Sequence, residues 1–192
     1  MTNLQHIEIE QRGAVRWLWL NRPEVRNAFN DALIADIANA FADVEASADT
    51  RVVVVASRGP AFCAGADLNW MRAMANYGHA DNHADALKVA RMFHAVHSCS
   101  KPVVARVHGD AFGGGVGLAA ACDVVIALDS VHFVLSEVKL GIVAATISPH
   151  VVRASSGSCT RSRAPRRSIR PWVPSARRCW PRVPPRWRPR SG

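Results

Sequence analysis

His108–Asp123 reads HGDAFGGGVGLAAACD. An apolar, β-branched run, Pro102–Val107, precedes it and predicts a buried strand. Gly113, Gly114, Gly115 and Gly117 crowd the turn that follows, and Leu118–Ala121 is a good helix former. Strand, glycine loop and helix follow one another. Glycine admits positive φ and lets another group approach the backbone closely. The first N–H groups of a helix have no partner inside it and lie at the positive end of its dipole. Three readings stay open at this point: close packing of a helix on a sheet, a dinucleotide loop, or a cradle for a carbonyl oxygen that gains negative charge. Gly115-x-Gly117-x-x-Ala120 resembles a dinucleotide fingerprint. Against it, Asp129 lies only 12 residues past Gly117, where a ribose-binding acid belongs about 20 residues on.

Working outward, Ile7–Gln11 alternates, Arg12-Gly13 signals a turn, and Val15–Leu20 forms a second run, which together predict a β-hairpin. Asn21–Asn27 is a polar loop with a proline, and Asn30 or Asp31 can cap the helix that follows. Leu33, Ile34, Ile37, Ala40, Phe41 and Val44 recur at helical spacing. Val52–Ala56 is fully apolar, which predicts a strand covered on both faces. Ser57–Asp67 is a second glycine-bearing loop after a strand. A helix begins near Asp67 with Leu68, Met71 and Met74 on one face, and dipole grounds alone would make Asp67 its cap. A further helix is expected from about His83 to Cys99. After the central helix come a buried strand at Val124–Leu128, a short one at His132–Leu135 and a short helix around Ala145–Arg153. The order β-β-α-β-α-α-β-α-β-β argues for an α/β architecture.

Composition divides the chain in two. Residues 155–192 hold 11 Arg, seven Pro and three Trp, with no Lys and no acid. Without those 11 charges the net +9 of the 192-residue chain becomes −2 for residues 1–154. The basic balance therefore belongs to the tail and gives the domain no nucleic-acid signature. The tail lacks hydrophobic periodicity, and its prolines forbid long helices and central strands, so it is expected to be disordered. The abrupt switch after Ala154 matches a GC-rich gene translated out of frame. The alternative is a basic arm that binds nucleic acid. Five cysteines without a C-x-x-C pair fit reduced thiols in the cytoplasm. The polar N-terminus shows no secretory signal, and the apolar stretch at Gly113–Cys122 is too short to span a membrane.

Three separated segments carry a resemblance: Leu20–Phe29 (LNRPEVRNAF), Cys63–Leu68 (CAGADL) and Gly109–Gly115 (GDAFGGG). Together they resemble the enoyl-CoA hydratase/isomerase (crotonase) family, over residues 5 to about 154. The resemblance implies a crotonase-type spiral of ββα units on residues 1–154, with its C-terminal part missing. It implies an acyl-CoA substrate, no cofactor and no metal. The family's homotrimer or hexamer is also implied, although replacement of the C-terminal helices argues against that assembly here. By alignment of the motifs, the backbone N–H groups that hold the thioester oxygen fall on Ala66 and Gly114. The CoA site points to Ala64, Asp67 and Leu68. Arg26 could meet a CoA phosphate, or simply face solvent.

Adding water across a C2=C3 bond, or moving that bond, builds charge on one oxygen, and losing one fixed donor to it typically costs about 10²–10³ in rate. Many hydratases of the family carry two glutamates. One falls on Glu137, and the other falls where this chain has Gly117. One carboxyl can donate a proton and take one back. The resemblance thus implies a hydratase acting through Glu137, with a Δ3,Δ2-enoyl-CoA isomerase or an inactive truncated member as alternatives. Leu135–Gly141 and Ala145–Pro149 look most like bacterial hydratases of branched, carboxylated enoyl-CoAs such as 3-methylglutaconyl-CoA. His79/His83 and His94/His97 have helix-face spacing but no third ligand, and Cys63 is read as a packing residue rather than a nucleophile.

Overall fold

The computed structural model describes residues 4–156 and 169–171. Its main sheet has six strands: β1 (Ile7–Arg12), β2 (Val15–Leu20), β3 (Val52–Ser57), β4 (Val103–Val107), β6 (Val124–Leu128) and β8 (Ile169–Pro171), adjacent in that order. β1 and β2 form the expected antiparallel hairpin. β2, β3, β4 and β6 run parallel. The helices are α1 (Asp31–Ala46), α2 (Leu68–Met74), α3 (His79–His97), α4 (Gly114–Ala121) and α5 (Ser148–Ser155). Asn30 caps α1, its side chain accepting from the Leu33 amide at 2.8 Å.

The core lies where α1, α3 and α4 meet the sheet. Leu18, Leu33, Phe41, Val53, Phe93 and Leu118 are fully buried there. β3 is buried on both faces, as its unbroken apolar run requires. β6 departs from expectation, because Ile126 and Leu128 are 39% and 44% exposed. Its Val125 and Ala127 face is buried, and the face of Ile126 and Leu128 is left uncovered among the described residues.

α3 starts at His79, four residues before the expected start. Its first residues, His79–Asp81, are exposed, so they carry no apolar period to read. Within the stretch read as an unstructured tail, Ile169–Pro171 forms an antiparallel edge strand against β6, with Pro171 opposite Ile126. An outer strand is where a sheet tolerates proline. The rest of that stretch lies outside the described residues.

Candidate active site

Two short strands place the glycine loop of the opening stretch. Ala111–Phe112 (β5) pairs in parallel with Phe133–Val134 (β7). On its other side β5 is stitched to the Ser57–Asp67 glycine loop, the first of the two in chain order, with the Phe62 amide donating to the Asp110 carbonyl at 3.0 Å and the Phe112 amide to the Cys63 carbonyl at 2.9 Å. The first loop is held in turn to the segment before α1. The Phe29 amide donates to the Gly65 carbonyl at 2.7 Å, and the Asp67 amide to the Phe29 carbonyl at 2.8 Å. Backbone bonding alone therefore brings Ala66, Gly114 and the residues after β7 together. β5 was not legible in the sequence: a two-residue strand inside a glycine loop has no period.

These segments enclose a pocket of about 410 Å³. Ala66, Gly114 and Glu137 all line it, as do Ala64 and Leu68. Among the backbone hydrogen bonds of the described residues, none is donated by the Ala66 or Gly114 amide. Gly114 is the first residue of α4, so its N–H has no partner within the helix. Two donors thus remain available on one pocket. The rest of the lining is mainly apolar and includes Phe29, Trp70, Met71, Met74 and Phe93. Glu137 is its only ionisable side chain among the described residues.

Glu137 begins a turn of 3₁₀ helix, Glu137–Leu140, three residues after β7. Its carboxyl lies over Gly113. A Cβ built on Gly113 would stand 3.0 Å from Glu137 Oε1, and Gly113 has φ +46°, so glycine is required there on both counts. Glu137 Oε2 is buried and has no hydrogen-bond partner. Buried polar atoms are normally paired, so an unpaired carboxylate oxygen on a pocket wall is suited to accept a proton or a donor from a ligand.

Gly117 does not line the pocket. A Cβ there would stand 2.2 Å from Ile147 Cγ2 and 2.7 Å from Ile147 Cβ, with Phe93 Cζ at 3.2 Å. Ile147 and Phe93 are themselves part of the pocket wall. Hydrocarbon therefore fills the position at which the resemblance implied a second glutamate.

The sequence profile of the enoyl-CoA hydratase/isomerase family matches residues 10–159. The chain belongs to this family. A Thermus thermophilus protein named as a candidate enoyl-CoA hydratase is 40% identical over 144 residues, covering 75% of this chain and 57% of its own length. The mitochondrial Δ(3,5)-Δ(2,4)-dienoyl-CoA isomerase of Mus musculus is 35% identical over 133 residues, covering 65% of this chain and 41% of its own length. The crystal structure of an enoyl-CoA hydratase from Shewanella pealeana superposes with a TM-score of 0.78 at 36% identity, covering 80% of this chain and 58% of that one. The chain thus spans about half the length of the curated relatives it matches.

Within this enoyl-CoA hydratase/isomerase fold, two expected ligand contacts fall elsewhere. Asp67 is buried and does not line the pocket. It caps α2, accepting from the Asn69 amide at 2.9 Å, and pairs with Arg22 at 3.2 Å. Burial works to raise its pKa, but the Asn69 amide and the Arg22 guanidinium outweigh it, so the carboxyl titrates below its ordinary value. Arg26, at φ +53°, lines a separate cleft of about 340 Å³ with His108 and Asp110. Arg22 is the arginine of its loop that turns inward, and it also donates to the Ala28 carbonyl at 2.6 Å. The proline between Arg22 and Glu24 marked a turn but not which arginine it would aim at the site loop.

Cys63 is fully buried, and burial pushes its thiol up to about 12, so it stays protonated at neutral pH and packs beside Gly115. The His79 and His83 rings stack on each other. His97 meets His150 at 5.3 Å between ring centroids. Among the described residues no three His, Cys, Asp or Glu side chains gather as metal ligands, and no helix is long and apolar enough to cross a membrane.

Proposed function

We propose that the chain acts on an enoyl-CoA thioester, adding water across its C2=C3 bond. One observation carries this reading: the uncommitted amides of Ala66 and Gly114 and the unpaired carboxyl oxygen of Glu137 share one mainly apolar pocket. The thioester oxygen accepts from both amides. As the water oxygen bonds to C3, the C2=C3 electrons move toward the thioester oxygen, and the fixed donors stabilise the enolate without reorganising. Glu137 takes the water proton and delivers one to C2. The chemistry asks for no group beyond the CoA of the substrate. Ala64 and Leu68 stand at the CoA side, while Asp67 supports that wall from behind through its bond to Arg22. Arg26 remains available to a CoA phosphate only if the nucleotide extends into the second cleft.

The lining also bears on the acyl group. A dicarboxylic acyl chain such as 3-methylglutaconyl would bring a second negative charge toward Glu137, with no cation among the described lining residues to offset it. An apolar acyl group is therefore the better fit. Double-bond migration is the second reading, and the hydrocarbon beside Gly117 favours it.

Incubating the 192-residue chain with crotonyl-CoA tests the proposal through loss of the conjugated thioester's ultraviolet absorbance. Glu137→Gln should lower that rate by about 10²–10⁴ while leaving the far-ultraviolet dichroism unchanged. A folded Glu137→Gln protein with full activity would sink the assignment.

A further inference from the structure

The pocket walls differ in what they offer a proton. One side presents a single carboxylate with a free oxygen, Glu137 Oε2. The other presents carbon: the three atoms nearest to a side chain at Gly117 are Ile147 Cγ2, Ile147 Cβ and Phe93 Cζ. Ile147 is 2% exposed and Phe93 fully buried, so this wall is packed rather than pliable. It sits at the start of α5, where the Ile147 carbonyl receives the Val151 amide at 3.0 Å.

An enoyl thioester held by two amides has two fates, each through an enolate of its own. In hydration, a water oxygen bonds to C3, one of its protons passes to the carboxylate, and the carboxyl gives a proton to C2. In a double-bond shift, the carboxylate removes a proton from C2 of a 3-enoyl thioester. The C2–H electron pair spreads onto the thioester oxygen, the same carboxyl returns the proton at C4, and the double bond re-forms between C2 and C3. The first fate requires an ordered water, which needs two to four polar partners. The second requires one carboxyl and a dry wall.

We propose that Ile147 is the specificity-determining residue of this site. Its side chain fills the space beside Gly117, denies water a foothold there, and so lowers the ratio of hydration to double-bond shift below what the same site would show with that space open. The inference rests on the acyl-CoA reading above and adds to it the residue that apportions the two outcomes.

The test measures both rates on the full chain, hydration of crotonyl-CoA and conversion of a 3-enoyl-CoA to its conjugated isomer. It compares wild type, Ile147→Val, Ile147→Ala and the double variant Ile147→Gly with Gly117→Glu. The ratio of hydration to shift should stay within about twofold for Ile147→Val. It should rise about tenfold or more for Ile147→Ala, and further when the vacated space receives a carboxylate. In deuterated water, wild type should return more of the original proton to C4 than Ile147→Ala does. Because Ile147→Ala can cost stability as well, the ratio is read on protein whose melting is checked, and the near-isosteric Ile147→Thr, which offers water a hydroxyl at the same place, supplies a second point if the smaller variant does not fold: its ratio should rise several-fold, and an unchanged ratio counts against the role of Ile147. A ratio and a proton return that do not move from isoleucine to alanine would overturn the role of Ile147 while leaving the acyl-CoA reading in place. Wild-type protein inert toward both substrates would overturn both.

Discussion

The floor of the pocket and its rim are built by different means. At the floor, Phe29, Phe93 and Ile147 are all 3% exposed or less. The backbone there, which carries the proposed donors, is fixed by hydrogen bonds between neighbouring segments. At the rim, Leu68, Ile142 and Val143 are 64%, 49% and 83% exposed. The floor is over-determined, since each residue is held by several others, and that is the condition for placing two donors and a carboxyl without reorganisation. The rim is apolar surface left in water, which suits it to grip a hydrocarbon ligand but contributes little to the fold.

This contrast predicts a steep gradient of mutational effects. Phe93→Ala removes a ring from the floor and should destabilise the chain by about 3–5 kcal/mol, read as a fall in the urea midpoint. Asp67→Ala should cost about 3 kcal/mol, because it leaves the Arg22 guanidinium buried without its partner and α2 without its cap. A pH series sharpens that result. The folded carboxyl of Asp67 titrates below its unfolded value, so its contribution is present above the unfolded pKa and is lost as pH falls through the folded one. Stability should therefore decline less in acid, between about pH 5 and pH 2, for Asp67→Asn than for wild type. At the other end, Val143→Ser on the rim should change stability by no more than about 0.5 kcal/mol. Its effect should be confined to a few-fold rise in KM for acyl-CoA. A rim variant that unfolds the chain, or a floor variant that does not disturb it, would break the distinction.

The same gradient separates what the sequence shows from what it hides. The buried strands and α1 declare themselves through apolar runs and periods. The two glycine loops are visible because φ above zero and close approach leave glycine as the usual choice. Glu137 is legible only through the family resemblance, since by itself it reads as a surface glutamate at a strand end. What stays hidden depends on contacts between distant segments. Arg22 and Arg26 flank the same turn, and only the fold shows that Arg22 reaches Asp67. Ile147 lies far along the chain from Gly117, and no local pattern announces that it fills that space. The first residues of α3 carry no apolar stripe, and nothing within β6 tells that only one of its faces is covered among the described residues. In each case the missing information is tertiary.

The central claim is that the Ala66 and Gly114 amides grip one thioester oxygen beside Glu137. Infrared difference spectroscopy of an acyl-CoA labelled with ¹³C at the thioester carbonyl, bound to the full chain, tests it most directly. Two converging donors should polarise the carbonyl and move its stretching band to lower frequency on binding, and Glu137→Gln should retain that shift while losing turnover. A carbonyl band at its free-solution position in a saturated complex would contradict the account.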